Sequence, residues 1–284
     1  MASKRTSDQR FSRLLKAPMY LWTVMFVLVA MLYVIGLSFL SRGEVAGVTG
    51  EITLNNYRRL GSPEYLSVLV KSLRLAAITT VLCILIGYPF GYLMARLKPK
   101  ARSIVMLLII VPFWTNALIR IYGWRILLMG NGPVNSLLLS LGLIEKPLKL
   151  LYTDGAVLLG MVYALIPFMI LPTFSTVEKL DFSVVEAARD LGASPLYAFF
   201  TVTVPLTVAG LMAGCVLVFI PSMGLFFLND LLGGSKTVLA GGLIQQLINS
   251  RDLPMAAALS VLLLSVTGAV IAIYRKAGGT GSMF

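Results

Sequence analysis

The chain has 284 residues, of which 58% are hydrophobic and 13% are charged, and its formal net charge is +12 with no histidine. Charged residues make up about a quarter of an ordinary soluble domain, so this composition excludes that class. The lack of histidine excludes histidine-based acid–base or metal chemistry. Cys83 and Cys215 both fall within apolar runs, which favours neither a disulfide framework nor a thiolate metal site.

The basic residues are concentrated beside apolar runs rather than spread along the chain. Residues 1–18 contain five Lys or Arg residues, and residues 96–102 contain four. An excess of Lys and Arg in short segments next to membrane spans marks the cytoplasmic side. We therefore interpret the positive charge as a topology signal and not as a nucleic-acid-binding surface, and we place both segments in the cytoplasm.

Long apolar runs predict an all-α integral membrane protein with about six transmembrane helices. A span needs about 20 mainly apolar residues, and several runs reach that length. They form a predicted transmembrane domain at residues 19–275, between cytoplasmic tails at residues 1–18 and 276–284. The predicted spans are residues 19–40, 73–95, a third from about residue 103, 155–174, a fifth from about residue 206, and 255–274.

The segments 41–66, 120–154 and 231–254 alternate with the cytoplasmic segments and are predicted to lie outside. Each is expected to contain a short helix near the membrane surface. These helices are predicted at residues 54–60, 137–143 and 238–248. Within the second span, the glycines and proline of residues 87–91 are expected to kink the helix or to pack it closely against another.

Two spans are interrupted by helix-breaking residues, at 111–116 and 221–230. Because unpaired backbone groups are costly in lipid, such breaks persist only where protein or water covers them. Both stretches combine aromatic and polar side chains, and an aromatic face beside a carboxylate suits an organic ammonium ion. We predict that these side chains line a substrate pathway: Trp114, Asn116, Tyr122, Phe227, Asn229 and Asp230.

The pathway candidates also have simpler interpretations. Trp114 and Tyr122 could be aromatic residues of the membrane interface. Asp230 could lie in a water-exposed outer loop without a role in transport. Arg120 and Arg125 argue against a lining that is wholly favourable to cations, and we expect them to anchor the outer membrane surface instead.

The longest strongly polar interruption in the second half of the chain begins at Glu186 and reads Glu-Ala-Ala-Arg-Asp-Leu-Gly. Ser183 and Glu186 have the spacing of a capping box at a helix start. Gly192 suits the left-handed position after a helix, and residues 194–195, Ser and Pro, suit the start of another. Pro205 would stop that second helix or start the next span. The pattern predicts a helix–glycine–helix hairpin that faces water between two spans.

This hairpin resembles the EAA loop of ABC-importer permeases, E-A-A-x3-G-x9-I-x-L-P, with Val202 and Val204 in place of Ile and Leu. In that family the loop is a coupling helix that sits in a groove of a cytoplasmic ATPase. The resemblance therefore implies a type I (MetI-like) ABC importer permease fold with a coupling loop at residues 176–205. It assigns ATPase coupling to Glu186, Ala187, Ala188, Asp190, Gly192 and Pro205.

Three further stretches, at 111–123, 177–181 and 224–231, are similar to the spermidine/putrescine branch of this family. The resemblance implies a permease subunit of an ATP-driven importer of polyamines in the bacterial inner membrane, with both termini cytoplasmic. It also implies partners. These are a second, similar permease that completes a heterodimer, two ATPase subunits that bind ATP and Mg, and an external polyamine-binding protein.

The chain itself is predicted to be a transport subunit and not an enzyme. It has no Gly-rich phosphate-binding motif ending in Gly-Lys-Ser/Thr, so we expect no cofactor or metal in this chain and assign ATP hydrolysis to a partner. An importer of thiamine, iron or molybdate is an alternative, although an oxyanion path would need converging basic or N–H donors. A gradient-driven transporter would need acidic residues within the spans and inverted repeats, and the span centres here are nearly free of charge.

Overall fold

The computed structural model describes residues 16, 18–43, 48–234 and 238–276, and the structural statements below concern these residues. Most of the two predicted tails, 1–18 and 276–284, lies outside the described residues. The chain divides into two compact units. One comprises Met1–Tyr65 with Ile244–Ser265, and the other comprises Leu66–Leu243 with Val266–Phe284.

Nearly all of the described residues lie in helices, which confirms the all-α prediction. One short antiparallel pair of strands, β1 (Leu40–Ser41) with β2 (Thr49–Ile52), was not predicted. The helices, numbered in chain order, are α1 (Pro18–Ser38), α2 (Asn55–Leu60), α3 (Pro63–Ala95), α4 (Pro99–Ile110), α5 (Ala117–Leu128), α6 (Pro133–Ser140), α7 (Asp154–Glu178), α8 (Phe182–Asp190), α9 (Pro195–Gly224), α10 (Phe226–Leu228), α11 (Ala240–Asn249) and α12 (Leu253–Lys276).

Five of these helices, α1, α3, α7, α9 and α12, are long and apolar enough to cross a membrane. The segments Pro99–Trp114 and Ala117–Ser140 bend by 95° at their junction and make a sixth if they are counted as one broken span. The described residues thus confirm about six spans. Two of them begin earlier than predicted, since α3 starts at Pro63 and α9 starts at Pro195. Each of the three segments predicted to lie outside contains a short helix, α2, α6 and α11, with shifted ends. That these segments lie outside stays a prediction.

Glycines let α3, α7 and α9 pack closely in the second unit. Met169 of α7 is fully buried, and a Cβ on Gly87 of α3 would lie 2.8 Å from its Cγ. A Cβ on Gly214 of α9 would lie 2.6 Å from the Sδ of the same methionine. Small residues allow membrane helices to approach in this way. The close-packing interpretation of residues 87–91 is therefore confirmed, and α3 continues through Pro89 as one helix.

Both predicted helix breaks are present, but one is displaced. After α4, a 3₁₀ turn at Val111–Trp114 leads to extended backbone at Thr115 before α5 begins. The second break lies between Gly224 and Leu225, and not at Pro221, which is inside α9. Membrane helices tolerate proline where neighbouring groups compensate the lost backbone bond.

In the first unit, a buried carboxylate joins three segments of the chain. Asp252 is 2% exposed and accepts from the backbone N–H of Met255 at the start of α12. Its Oδ2 lies 3.4 Å from Arg59 Nη1 and 3.7 Å from Arg42 Nη1. The pair of arginines supplies the charge that a buried carboxylate needs, so this cluster fixes the strand pair and α2 against the start of α12.

Candidate coupling hairpin and substrate pathway

The polar hairpin begins with α8, and its N-cap differs from the prediction. The carboxylate Oδ1 of Asp181 accepts the backbone N–H of Ser183 at 3.0 Å, so Asp181 is the N-cap. The predicted capping box of Ser183 and Glu186 is wrong, because Ser183 already lies in the first turn and Glu186 in the middle of the helix. Hydrogen bonds from Ser183 lower the pKa of the Asp181 carboxyl. The cap is therefore formed at neutral pH and is lost only as the pH falls through that lowered pKa.

The turn of the hairpin follows the prediction. Gly192 has φ +92°, a left-handed conformation that disfavours any side chain. Its N–H donates to the Arg189 carbonyl at 2.9 Å, and the N–H of Ala193 donates to the Ala188 carbonyl at 3.1 Å. Ser194 Oγ then caps α9 by accepting the N–H of Tyr197 at 3.2 Å. These bonds satisfy the free backbone groups at both helix ends.

Pro205 does not end a short helix, and it begins the regular α-helical part of the span rather than the span itself. Helix α9 runs from Pro195 to Gly224 without a stop. A π-helical turn at Phe199–Thr203 immediately precedes Pro205, which lies in the first turn of the regular helix that follows. The wider turn shifts the hydrogen-bond register, so the proline ring and its missing N–H are accommodated.

The exposed face of the hairpin combines acidic and apolar side chains. Glu186, Ala187 and Asp190 are exposed on α8, and Ala188 is half-buried. Leu191 at the tip is 89% exposed. The structure thus groups the predicted coupling residues of α8 and the turn on one exposed hairpin, with Pro205 farther along α9.

An aromatic cluster attaches the hairpin to the end of α3, and sequence reasoning missed it. The ring of Tyr92 lies 5.3 Å from that of Phe199 and 6.4 Å from that of Phe182. The guanidinium of Arg96 lies 5.4 Å from the ring of Phe182 and 5.6 Å from that of Tyr92. The spacing of Tyr88, Tyr92 and Arg96 along one helix face was the available signal.

An ion pair joins the start of α4 to the end of α7. Arg102 Nη1 lies 2.7 Å from Glu178 Oε1, and both side chains are partly exposed. A cavity of about 630 Å³ opens beside this region, between the end of α7, the start of α8 and the first half of α9; Ser175, Lys179 and Asp181 are among its lining residues. The hairpin is therefore packed on one side and open on the other.

At the first break, the pathway candidates are mostly exposed. Trp114 is 82% exposed and Tyr122 is 46% exposed. The side chain of Asn116 caps α5 by accepting the N–H of Leu118 at 2.8 Å. Arg125 lies 6.0 Å from the ring of Tyr122 and donates to the hydroxyl of Tyr152 at 3.2 Å. That these side chains line a pathway remains a prediction.

At the second break, the three candidates have different environments. Phe227 is half-buried with its ring 6.1 Å from that of Phe226, and Asp230 is exposed. Asn229 is 3% exposed and begins a π-helical turn, Asn229–Gly233. Its Oδ1 is buried and has no hydrogen-bond partner among the described residues. A buried amide oxygen without a partner is costly, by about 1–3 kcal/mol, and marks a position where a donor could bind.

The two breaks pack against the same part of α7. Ile121 of α5 shares a buried cluster with Leu228 and Leu232, which follow the second break. On α7, a Cβ at Gly160 would lie 2.5 Å from Leu232 and 2.6 Å from Leu228, so only glycine fits. The backbones of the two breaks are thus brought to one helix. Within the described residues, no hydrogen bond or ring contact joins the polar candidates of one break to those of the other.

Arg120 has aromatic contacts that the sequence did not suggest. Its guanidinium lies 5.0 Å from the ring of Phe113 and 5.9 Å from the ring of Tyr163 on α7. Its Nε is buried and has no hydrogen-bond partner among the described residues. These ring contacts were not predicted, and the expectation that Arg120 anchors the outer membrane surface stays a prediction.

Comparisons with known proteins agree on one family. The profile of the family described as "Binding-protein-dependent transport system inner membrane component" matches residues 87–276. The chain is 48% identical over 257 residues to the spermidine/putrescine transport system permease protein PotB of Escherichia coli (strain K12), covering 90% of this chain and 94% of that protein. It is 42% identical over 271 residues to the protein of the same name from Haemophilus influenzae, covering 95% of both.

A solved structure supports the fold. The chain resembles one chain in the crystal structure of a bacterial alginate ABC transporter in complex with an alginate pentasaccharide-bound periplasmic protein, with a TM-score of 0.76. The match covers 98% of this chain and 99% of that chain at 14% identity. At this identity the likeness concerns the fold alone, and it confirms the predicted importer permease fold.

Proposed function

Because the chain belongs to the family of binding-protein-dependent transport system inner membrane components, we propose that it is the permease subunit through which an ATP-driven importer moves spermidine and putrescine across the inner membrane. The observation that carries the substrate class is the 48% identity to the PotB permease over 90% of this chain. The chain is a multi-pass membrane transport subunit and not an enzyme, as its sequence predicts.

The chemistry of the broken spans suits a polyamine. A polyamine is a flexible chain with several ammonium groups, each of which can donate hydrogen bonds and lie over an aromatic face. Asp230 offers a carboxylate, and the unpaired Oδ1 of Asn229 offers an acceptor. Trp114 and Tyr122 offer exposed rings at the other break. Several weak sites in series permit passage, because a tight site would retain the cation.

The hairpin is the part of the chain that we assign to energy coupling. Glu186 and Asp190 offer carboxylates, and Leu191 offers an apolar contact, to a cytoplasmic ATPase that holds ATP and Mg. A movement of the hairpin would reach α3 through the rings of Phe182 and Tyr92, because these pack directly against each other. Closure of the ATPases would in this way change access to the pathway.

The contacts between loops support a common cytoplasmic side for residues 96–102 and the hairpin. Charge alone supports this placement for the basic turn, whereas the hairpin carries an acidic surplus. The ion pair of Arg102 with Glu178 and the contact of Arg96 with Phe182 bring the two segments together. At the other ends of α3 and α7, Lys71 Nζ lies 3.3 Å from Asp154 Oδ1. We propose that both termini are cytoplasmic.

The full importer that we propose has four further parts. A second, similar permease completes a heterodimeric pore, two ATPase subunits dock on the coupling loops, and an external binding protein delivers the polyamine. The family description already states that transport depends on a binding protein. The identity of the partner permease and the two-to-two arrangement are part of the proposal.

Uptake of labelled spermidine and putrescine tests the proposal directly. Cells that contain the whole transporter, with or without this chain, would be compared under ATP depletion and with an uncoupler. We expect uptake to require this chain and ATP and to survive the uncoupler. Uptake of neither polyamine would refute the substrate, and uptake lost with the uncoupler while ATP is maintained would refute ATP-driven import.

A further inference from the structure

Arg120 occupies an aromatic site that the pathway interpretation does not use. Its guanidinium lies between the rings of Phe113 and Tyr163, at 5.0 and 5.9 Å. Each of those rings has an edge-on aromatic neighbour at 5.5 Å, Phe168 for the first and Trp124 for the second. Two rings, one from the 3₁₀ turn after α4 and one from α7, thus contact a single cationic group near the first helix break, and a further ring packs against each of them.

The rings are the principal partners of this cation. Among the described residues, Arg120 forms no ion pair with a carboxylate, whereas Arg102 does at 2.7 Å. The buried Nε also has no hydrogen-bond partner there. An ionised side chain close to a broken span is a candidate for a functional role. The aromatic faces therefore contact a cation, and that cation is a side chain of the protein itself.

The same faces would suit an ammonium group of the substrate. Cation–π attraction depends on the charge and on the ring face and not on whether the cation is a guanidinium or an alkylammonium. The site adjoins the exposed Trp114 and the cap residue Asn116, so a cation that enters the first break meets it within a few residues. Two cations cannot share one face without repulsion.

We propose that Arg120 is a tethered competitor that holds the Phe113–Tyr163 site and so keeps the affinity of the permease for ammonium groups low. The proposal rests on the proposed function, in which the substrate is a polyamine. Arg120 is a specificity-determining residue: its guanidinium is displaced while an ammonium group passes, and it returns afterwards. The substrate is thereby prevented from lodging in the strongest aromatic site of the break.

The proposal predicts a graded series of affinities. Arg120→Gln removes the resident cation, and bound spermidine should be held about fivefold more tightly or better. Arg120→Lys keeps a charge but replaces a group that stacks on rings by a strongly hydrated ammonium, so its affinity should lie between those of the wild type and Arg120→Gln. Maximal uptake should fall in the same order, because release becomes slower.

The experiment uses the whole transporter in lipid nanodiscs, arrested with ATP and vanadate, and measures the retention and release of labelled spermidine. Lys146→Gln is the control, since it removes one positive charge at an exposed position between α6 and α7 and should leave the affinity unchanged. Phe113→Leu, added to Arg120→Gln, should reverse the gain, because the gain comes from the freed ring and not only from relief of repulsion.

The outcomes separate this inference from the proposed function. A wild-type transporter that neither imports nor retains spermidine would overturn the proposed substrate and the inference together. Wild-type import with no tighter retention in Arg120→Gln, or with a gain that survives Phe113→Leu, would overturn the inference alone. Should Arg120→Gln fail to assemble with the partner permease, Arg120→Lys decides: retention no tighter than wild type would overturn the inference.

Discussion

The hairpin and the first helix break show two different ways in which this chain fixes functional side chains. In the hairpin, the cap of Asp181, the left-handed Gly192 and the cap of Ser194 act on backbone groups a few residues away. At the break, Arg120 and Phe113 are held by Tyr163 and Phe168, which lie far along the chain on α7. The hairpin can therefore keep its shape when it meets a partner, whereas the break depends on helix packing and can respond when helices move.

The largest effect is expected from reversing a charge on the exposed face of the hairpin. Glu186→Lys should reduce ATP-dependent spermidine uptake by about tenfold or more, because a lysine would be repelled by the ATPase groups that would bind the carboxylate. The helix itself should persist, since its cap is Asp181. Uptake is measured against the amount of inserted chain. Glu145→Lys, at an exposed position before α7, is the control, and normal uptake in Glu186→Lys would remove the coupling assignment.

The hairpin turn offers a matched pair of glycines. Gly192 has φ +92° and Gly142, in the connection after α6, has φ +67°. An alanine at either site should cost about 1–2 kcal/mol of local strain, so both variants should lower the melting temperature to a similar extent. Only Gly192→Ala should also reduce uptake severalfold, because it reshapes the docking tip. Equal uptake in the two variants would show that the geometry of this turn does not matter for coupling.

A substitution at the second helix break should have a smaller effect, limited to substrate transport. Asp230→Asn removes an exposed carboxylate and should weaken polyamine transport by about threefold to tenfold, in line with an exposed or half-exposed charge contact. The ATPase should still copurify in normal amounts. Glu51→Gln, an exposed carboxylate on β2, serves as the control. Unchanged uptake kinetics in Asp230→Asn would make this residue a bystander.

The smallest effect is expected at the ion pair between the start of α4 and the end of α7. Arg102 and Glu178 are separated by 2.7 Å but remain partly exposed, so breaking the pair should cost about 1 kcal/mol or less. Arg102→Glu should lower thermal stability slightly, and the swapped pair Arg102→Glu with Glu178→Arg should restore it. A double-mutant cycle with no coupling between the two positions would show that the pair does not hold the loops together.

The sequence predicted those features whose causes are local or periodic. Apolar runs of sufficient length indicated the spans, and Pro and Gly indicated where two of them break. Even locally, neighbouring signals competed: Asp181 and Ser183 are both capping residue types, and the aspartate forms the cap. Pro205 was interpreted as a boundary because a π-helical turn, which accommodates it, has no clear sequence signature.

The rest depends on distant packing that one sequence does not reveal. The contact of Arg120 with Tyr163 requires α5 to lie against α7, and the contact of Phe182 with Tyr92 requires α8 to lie against the end of α3. The glycine contacts at Met169 likewise join three helices. A charge near a predicted membrane boundary was assigned to the surface by default. The ring of Tyr163 that contacts this charge comes from another helix, and nothing in the sequence around Arg120 indicates it.

The most direct test of the account is a cross-link from the hairpin tip to the ATPase. Leu191→Cys, 89% exposed at the tip, would carry a photoactivatable label in a chain whose Cys83 and Cys215 are replaced by alanine. Leu143→Cys, 67% exposed after α6, is the matched control. We predict an adduct of the Leu191→Cys chain with the ATPase in the assembled importer and none from Leu143→Cys. An adduct from Leu143→Cys, or none from Leu191→Cys in a transporter that still imports, would contradict the assignment of this hairpin to ATPase docking.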